Sequence, residues 1–250
     1  MDVKVPFNNK TVELKPFKFK HINELHHQKD SLSSNIKFLE SFILTPGLNV
    51  IEKFTSLLAL RNECIDRSVT LNRDGRNVKV ALQYILQSFS ELKDIRTIVT
   101  HENFEFTFDY PSRFRINSDT LLSVLRKIKL DDRVIELDSL SDADFGQIIS
   151  RLPPACLSVI LAFVDKNKDS LTFSVSTGRG KTPIEIDFTD ITSSMFIVHL
   201  FNCVTSANYR EYLFVLSKRI HDMNFLLNCT LYEIEDYLAL YKKECAQAGS

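Results

Sequence analysis

Apolar residues along the chain switch period from two to about 3.6 and back, and the switches mark its elements. Residues 95–126 carry the clearest case. Ile95, Thr97 and Val99, then Phe104, Phe106 and Phe108, fall on one side of a two-stranded ribbon with its turn at Glu102-Asn103. After Tyr110-Pro111 the spacing of Leu121, Leu122, Leu125 and Ile128 predicts a helix behind an Asn117-Ser118-Asp119 cap. The same order recurs over residues 171–201, where LTFSVST, a GRGKT turn and PIEIDF lead into SSMFIVHLF. The expectation is a duplicated hairpin-then-helix unit.

The N-terminal third opens on another alternation. Val3, Val5 and Phe7 lead to Asn8-Asn9, Val12 and Leu14 return, and Pro16 ends a β-hairpin. Helices are predicted over 21–29 and 35–44, the second behind the cluster Asp30-Ser31-Leu32-Ser33-Ser34 and stopped by Thr45-Pro46-Gly47. Val50, Ile51, Phe54, Leu57, Leu58 and Ile65 form the stripe of an amphipathic helix over 49–66. Asp74-Gly75 reads as the turn before another helix, 78–92, that buries Ala81, Leu82, Ile85, Leu86 and Phe89.

Further on, Ser141-Asp142 caps a helix to about Arg151, and Pro154 opens a helix over 155–164. The charged residues 165–169 read as a solvated turn into the next strand. Tyr209, Tyr212, Leu213, Leu216, Ile220 and Met223 predict a helix over 208–224, and Thr230 with Glu233 is a capping box for the last one, through Ile234, Tyr237, Leu238 and Tyr241. Residues 246–250 should fray. No Pro/Gly/Ser-rich linker interrupts the chain, so a single α+β domain, 1–250, is expected: antiparallel hairpins packed with amphipathic helices, with a helical C-terminal end. Its parts are a hairpin plus helices over 1–94, two hairpin-helix units over 95–204 and a helix pair over 207–246.

Composition narrows the partners. With 44% hydrophobic residues and 19 Phe among 250 residues, the chain can fill a large core. Net charge is -1, from 31 basic and 32 acidic residues, leaving no surplus to condense on phosphates or anionic lipid. Protein partners are expected rather than nucleic acid. Cys64, Cys156, Cys203, Cys229 and Cys245 are odd in number and far apart, which reads as reduced core residues of a cytosolic protein. The start MDVKVPFNNK has no signal-peptide character, and the longest apolar run, 156–164, is too short for a membrane span.

Several near-motifs fail on inspection. Gly180-Lys181-Thr182 resembles the end of a phosphate-binding loop, but Val175 stands where the first glycine belongs and Pro183 and a strand follow where a helix should begin. Asp165-Lys166-Asn167-Lys168-Asp169 matches the first ligand positions of a calcium loop, yet Ser170 and Ser176 replace its glycine and its bidentate glutamate. His21, His26 and His27 do not share a helix face at ligand spacing, and no Cys-x-x-Cys pair exists. No catalytic residue, cofactor-binding residue or metal ligand is therefore expected, and the chain reads as a non-enzyme. Tyr209, Tyr212, Tyr237 and Tyr241 are the candidate partner-binding residues; their competing reading is that they cover the core with hydroxyls in water.

The opening VKVPFNNKTVELKPFKFKHINEL resembles the N-terminus of baseplate hub assembly proteins of T-even-type contractile-tailed bacteriophages. There a short hairpin precedes an R/K-P-F motif and a helix; here the motif is Lys15-Pro16-Phe17. The segment 78–110 and the closing YREYLFVLSKRIHDMNFLLNCTLYEIEDYLALYKKE are also similar. Where relatives carry Cys-x-x-Cys at a hairpin tip, this chain has Thr100-His101-Glu102-Asn103 and Gly178-Arg179-Gly180-Lys181. The resemblance implies an assembly factor, or chaperone, of the baseplate hub that contacts other hub proteins in the host cell cytoplasm. The alternatives it leaves open are a hub subunit retained in the virion and, from a different class, a nucleotide-binding enzyme using the Gly180-Lys181-Thr182 loop.

Overall fold

A computed structural model describes residues 1–28, 31–73, 76–116, 121–138, 140–175, 183–202 and 206–248. In chain order the elements are β1 (Asp2–Lys4), β2 (Thr11–Glu13), α1 (Phe19–His27), α2 (Leu32–Glu40), α3 (Val50–Cys64), β3 (Ser68–Arg73), β4 (Arg76–Ala81) and α4 (Leu82–Ser88). There follow β5 (Thr97–His101), β6 (Phe104–Phe108), β7 (Leu125–Leu130), β8 (Arg133–Glu136), α5 (Asp142–Ser150), α6 (Pro154–Leu171), β9 (Thr172–Val175) and β10 (Ile184–Asp187). The chain closes with α7 (Ile191–Phe201), α8 (Ser206–Ser217), α9 (Met223–Asn228) and α10 (Leu231–Ala248). Among the described residues all strand pairing is antiparallel: hairpins β1-β2, β3-β4 and β9-β10, and a four-stranded sheet β5-β6-β7-β8. The fold is α+β.

Two compact units emerge. One comprises Met1–Pro46, Lys53–Ser90 and Met195–Ser250; the other comprises Gly47–Glu52 and Glu91–Ser194. The second lies close to the 95–204 segment of the sequence division, while the N-terminal hairpin and helices share the first unit with the C-terminal helices.

An aromatic cluster centres the first unit. Phe17 packs on Phe42 at 5.1 Å, on Phe201 at 5.2 Å and edge-on to His21 at 5.5 Å, while Phe54 meets Phe89 at 5.6 Å and Phe196 at 6.0 Å. Each fully buried phenylalanine contributes about 1.5–3 kcal/mol of transfer free energy, so the Lys15-Pro16-Phe17 motif is a core anchor. Arg61 is buried in the same unit; its Nε donates to the Leu200 carbonyl at 2.7 Å and its Nη1 to the carbonyls of Asp66 (2.8 Å) and Ser68 (2.6 Å). That guanidinium supplies donors to three backbone carbonyls.

The second unit is a sheet with one covered face. Phe106, Phe108, Leu125 and Ile128 are buried there, and Phe108 stacks on Phe163 of α6 at 3.9 Å. The fully buried Tyr110 places its hydroxyl 2.7 Å from the Lys93 carbonyl and 3.0 Å from the Ser170 carbonyl, and burial pushes the phenol pKa up. Asn49 and Glu52 cap α3 reciprocally, Asn49 N–H to the carboxylate at 3.0 Å and Glu52 N–H to Asn49 Oδ1 at 2.9 Å.

Several elements depart from the sequence reading. Leu121, Leu122, Leu125 and Ile128 do not form a helix: a 3-10 turn, Leu121–Val124, passes into β7, which pairs with β6 and then with β8. The first hairpin therefore grows into a four-stranded sheet, and of the two expected copies the second, over 171–201, keeps the hairpin-then-helix order among its described residues. Residues 78–81 belong to β4, with Val80 opposite Val69 and Val78 opposite Leu71, so the helix there starts at Leu82. The turn at Asp74-Gly75 and the Asn117-Ser118-Asp119 cap lie outside the described residues.

Residues 165–169 are helical, because α6 continues until Leu171 joins Ile160 and Val164 on its buried face. The helix expected over 208–224 ends at Ser217, and Asp222 starts α9 by accepting the Phe225 N–H at 3.0 Å. The Thr230/Glu233 capping box forms, with Thr230 N–H to the carboxylate at 2.6 Å, and α10 runs on through Ala248 where fraying was expected. Among the described residues, no single helix is long and apolar enough to cross a membrane.

Candidate functional site at the C-terminal helices

The four candidate tyrosines separate into two pairs. Tyr209 and Tyr212 lie on α8 and face α1: the Tyr209 ring stacks on Phe19 at 4.5 Å, and the Tyr212 ring is nearly parallel to Phe19 at 6.5 Å. Tyr209 is only 6% exposed, and burial, with Glu24 nearby, pushes its hydroxyl pKa up. Its surface is committed to the fold. Tyr237 and Tyr241 lie on α10 and are half-buried. Tyr237 leans on Phe225 of α9 at 5.9 Å, and Arg219 sits 5.7 Å over the Tyr241 ring while its Nη1 reaches Glu244 at 3.6 Å.

The same helices present apolar side chains that the sequence reading passed over. Phe214 is 64% exposed, Leu240 58% and Phe225 45%. Each falls off the buried stripe of its own helix, which runs through Tyr209 and Leu216 on α8, Leu226 on α9, and Leu231, Ile234 and Leu238 on α10. An apolar residue off the stripe of an amphipathic helix was the available signal. Lys218 Nζ lies 4.5 Å over the Phe214 ring, a contact that leaves the rest of the ring open. Beside Phe225, a shallow groove of about 360 Å³ is lined by Asp222, Asn224, Asn228, Cys229 and Glu233.

Burial pushes the thiols of Cys64, Cys156 and Cys229 up, away from the thiolate needed for nucleophilic attack. Cys245 is exposed on α10, and Cys203 lies outside the described residues. Among the described residues no group of three His, Cys, Asp or Glu could hold a metal ion. The calcium-like residues 165–169 lie on α6, where helical geometry cannot wrap them around a cation. Gly180-Lys181-Thr182 lies outside the described residues, and the element that follows it is β10, not the helix a phosphate cradle uses.

No protein-family model, curated protein or solved structure matches the chain.

Proposed function

We propose that this chain is an assembly factor for the central hub of a contractile-tailed phage baseplate, acting in the host cytoplasm through contacts with other hub proteins and not through catalysis. The ordered resemblance from Lys15-Pro16-Phe17 to the closing helices motivates the hub as its setting. The observation that carries the mode of action is the outward exposure of Phe214, Phe225 and Leu240 on helices whose other faces already pack on the core. Large apolar side chains held out by ordered helices are what a protein interface buries, and truncating such anchors removes most of its free energy. The absence of a basic surplus fits a protein client better than nucleic acid.

The test is the triple substitution Phe214→Ser, Phe225→Ser and Leu240→Ser in the full chain, mixed with purified hub subunits and followed by sedimentation. Association should weaken about tenfold or more while the circular dichroism spectrum is unchanged. Undiminished association would move the contact surface elsewhere, and association with no hub subunit would remove the reading.

A further inference from the structure

The four-stranded sheet ends in an edge strand that is exposed along its whole length, next to an apolar groove. Among the described residues β8 pairs with β7 on one side only, and all four of its residues, 133–136, are exposed. Ile135 lies opposite Ile128 and Arg133 opposite Leu130, which in turn faces Phe104. Directly paired residues share a sheet face, so Arg133 and Ile135 project on the same side as Phe104, Ile128 and Leu130. Across from that face, α5 and α6 meet at a bend of 118°. Between corner and sheet runs a groove of about 270 Å³, lined by Phe104, Leu130 and Ile135 on one side and Ile148 and Leu152 on the other.

Its charge is one-sided. Arg151 is the single charged residue among the described lining residues, and the described residues hold no ion pair for Arg151 or Arg133. On the opposite face of this sheet edge Lys127 pairs with Glu136 at 2.7 Å. The carboxylates of Asp131 and Asp132 belong to the β7-β8 turn and do not line the groove. An edge strand offers backbone donors and acceptors to an added strand, and a neighbouring apolar groove selects its alternate side chains.

We propose that β8 and this groove bind an extended segment of a partner protein that carries aliphatic side chains at alternate positions and a carboxylate. The segment adds antiparallel or parallel to β8, its aliphatic side chains enter the groove over Phe104 and Ile135, and its carboxylate meets Arg151 and Arg133. The site is separate from the C-terminal helices; it rests on the assembly-factor reading only for the identity of the client.

A capped, fluorescently labelled peptide that alternates valine and serine around one glutamate is the probe, with the full chain and fluorescence anisotropy as the assay. Replacing the peptide's glutamate by lysine should weaken binding about tenfold, and the variant Arg151→Glu should reverse that order of preference. Ile135→Asp, also on the exposed edge, should weaken both peptides without loss of the folded spectrum. Equal affinity for the two peptides, an order unchanged by Arg151→Glu, or no binding of either overturns the proposal. If the peptide fails while the chain still joins hub subunits, the groove proposal falls alone; if the peptide binds and no hub subunit does, the hub reading falls alone.

Discussion

Leu125 and Ile128 stand three residues apart on one strand and still face the same side of the sheet. Phe108 pairs with Leu125 and Thr107 with Lys127, so Arg126 is the extra residue of a β-bulge, unmatched on β6. The bulged side chain is anchored: its guanidinium donates to the Tyr110 carbonyl and pairs with Asp138. Arg126→Ala should cost about 1–3 kcal/mol in urea unfolding, because it strips a charged donor from a partly buried carbonyl and carboxylate. Deleting Arg126 should cost more, since Leu125 would then turn to the solvent face.

Arg61 gives a sharper case, because its buried guanidinium serves three carbonyls at once. Arg61→Met keeps the aliphatic volume and removes every donor, and a loss of about 3 kcal/mol or more is expected from the unsatisfied carbonyls of Leu200, Asp66 and Ser68. A loss under about 0.5 kcal/mol in the same urea measurement would show that these carbonyls find other partners.

The bulge also explains what was legible in the sequence. Three-residue spacing of Leu125 and Ile128 mimics a helix, and a bulge is invisible to a pattern with period two or 3.6. Residues 68–81 carry a readable strand signal beside the helical one: Val69 and Leu71, then Val78 and Val80, alternate around Asp74-Gly75, a strong two-residue hairpin signature. The capping residues were the firmest marks, with Ser141 accepting the Asp144 N–H at 3.2 Å and the Thr230/Glu233 box in place. The exposed apolar residues of α8 to α10 were legible only as apolar positions off each helix's stripe, and the groove beside β8 was not legible, since it depends on how helices and sheet meet after folding.

His21 imposes a pH dependence. Its Nδ1 accepts the Lys18 N–H at 2.8 Å, and burial, reinforced by Lys20, Lys15 and Lys18, lowers its pKa to about 4. The unfolded chain titrates near the ordinary value of 6.5, so between those values it binds a proton that the folded chain refuses. Stability should therefore fall as pH drops from about 6.5 toward 4, by at most about 1.4 kcal/mol per pH unit from this group, and level off below. Unfolding free energies of wild type and His21→Gln, measured across that window, should converge toward acid pH; parallel curves would contradict the assignment.

The tyrosine pairs should separate by experiment. Tyr209→Ala removes a ring stacked on Phe19 and should destabilise by about 3 kcal/mol, whereas Tyr241→Ala, whose half-buried ring lies under Arg219 at the surface, should stay within about 0.5 kcal/mol. Thermal melts of the two variants measure the difference directly.

The most direct test of the assembly-factor account is the abundance of this chain, by quantitative mass spectrometry, in purified hub intermediates and in finished tails from infected cells. The expected result is presence in the intermediates and loss from the tails. Stoichiometric retention in the tails would contradict it and make the chain a structural subunit of the hub.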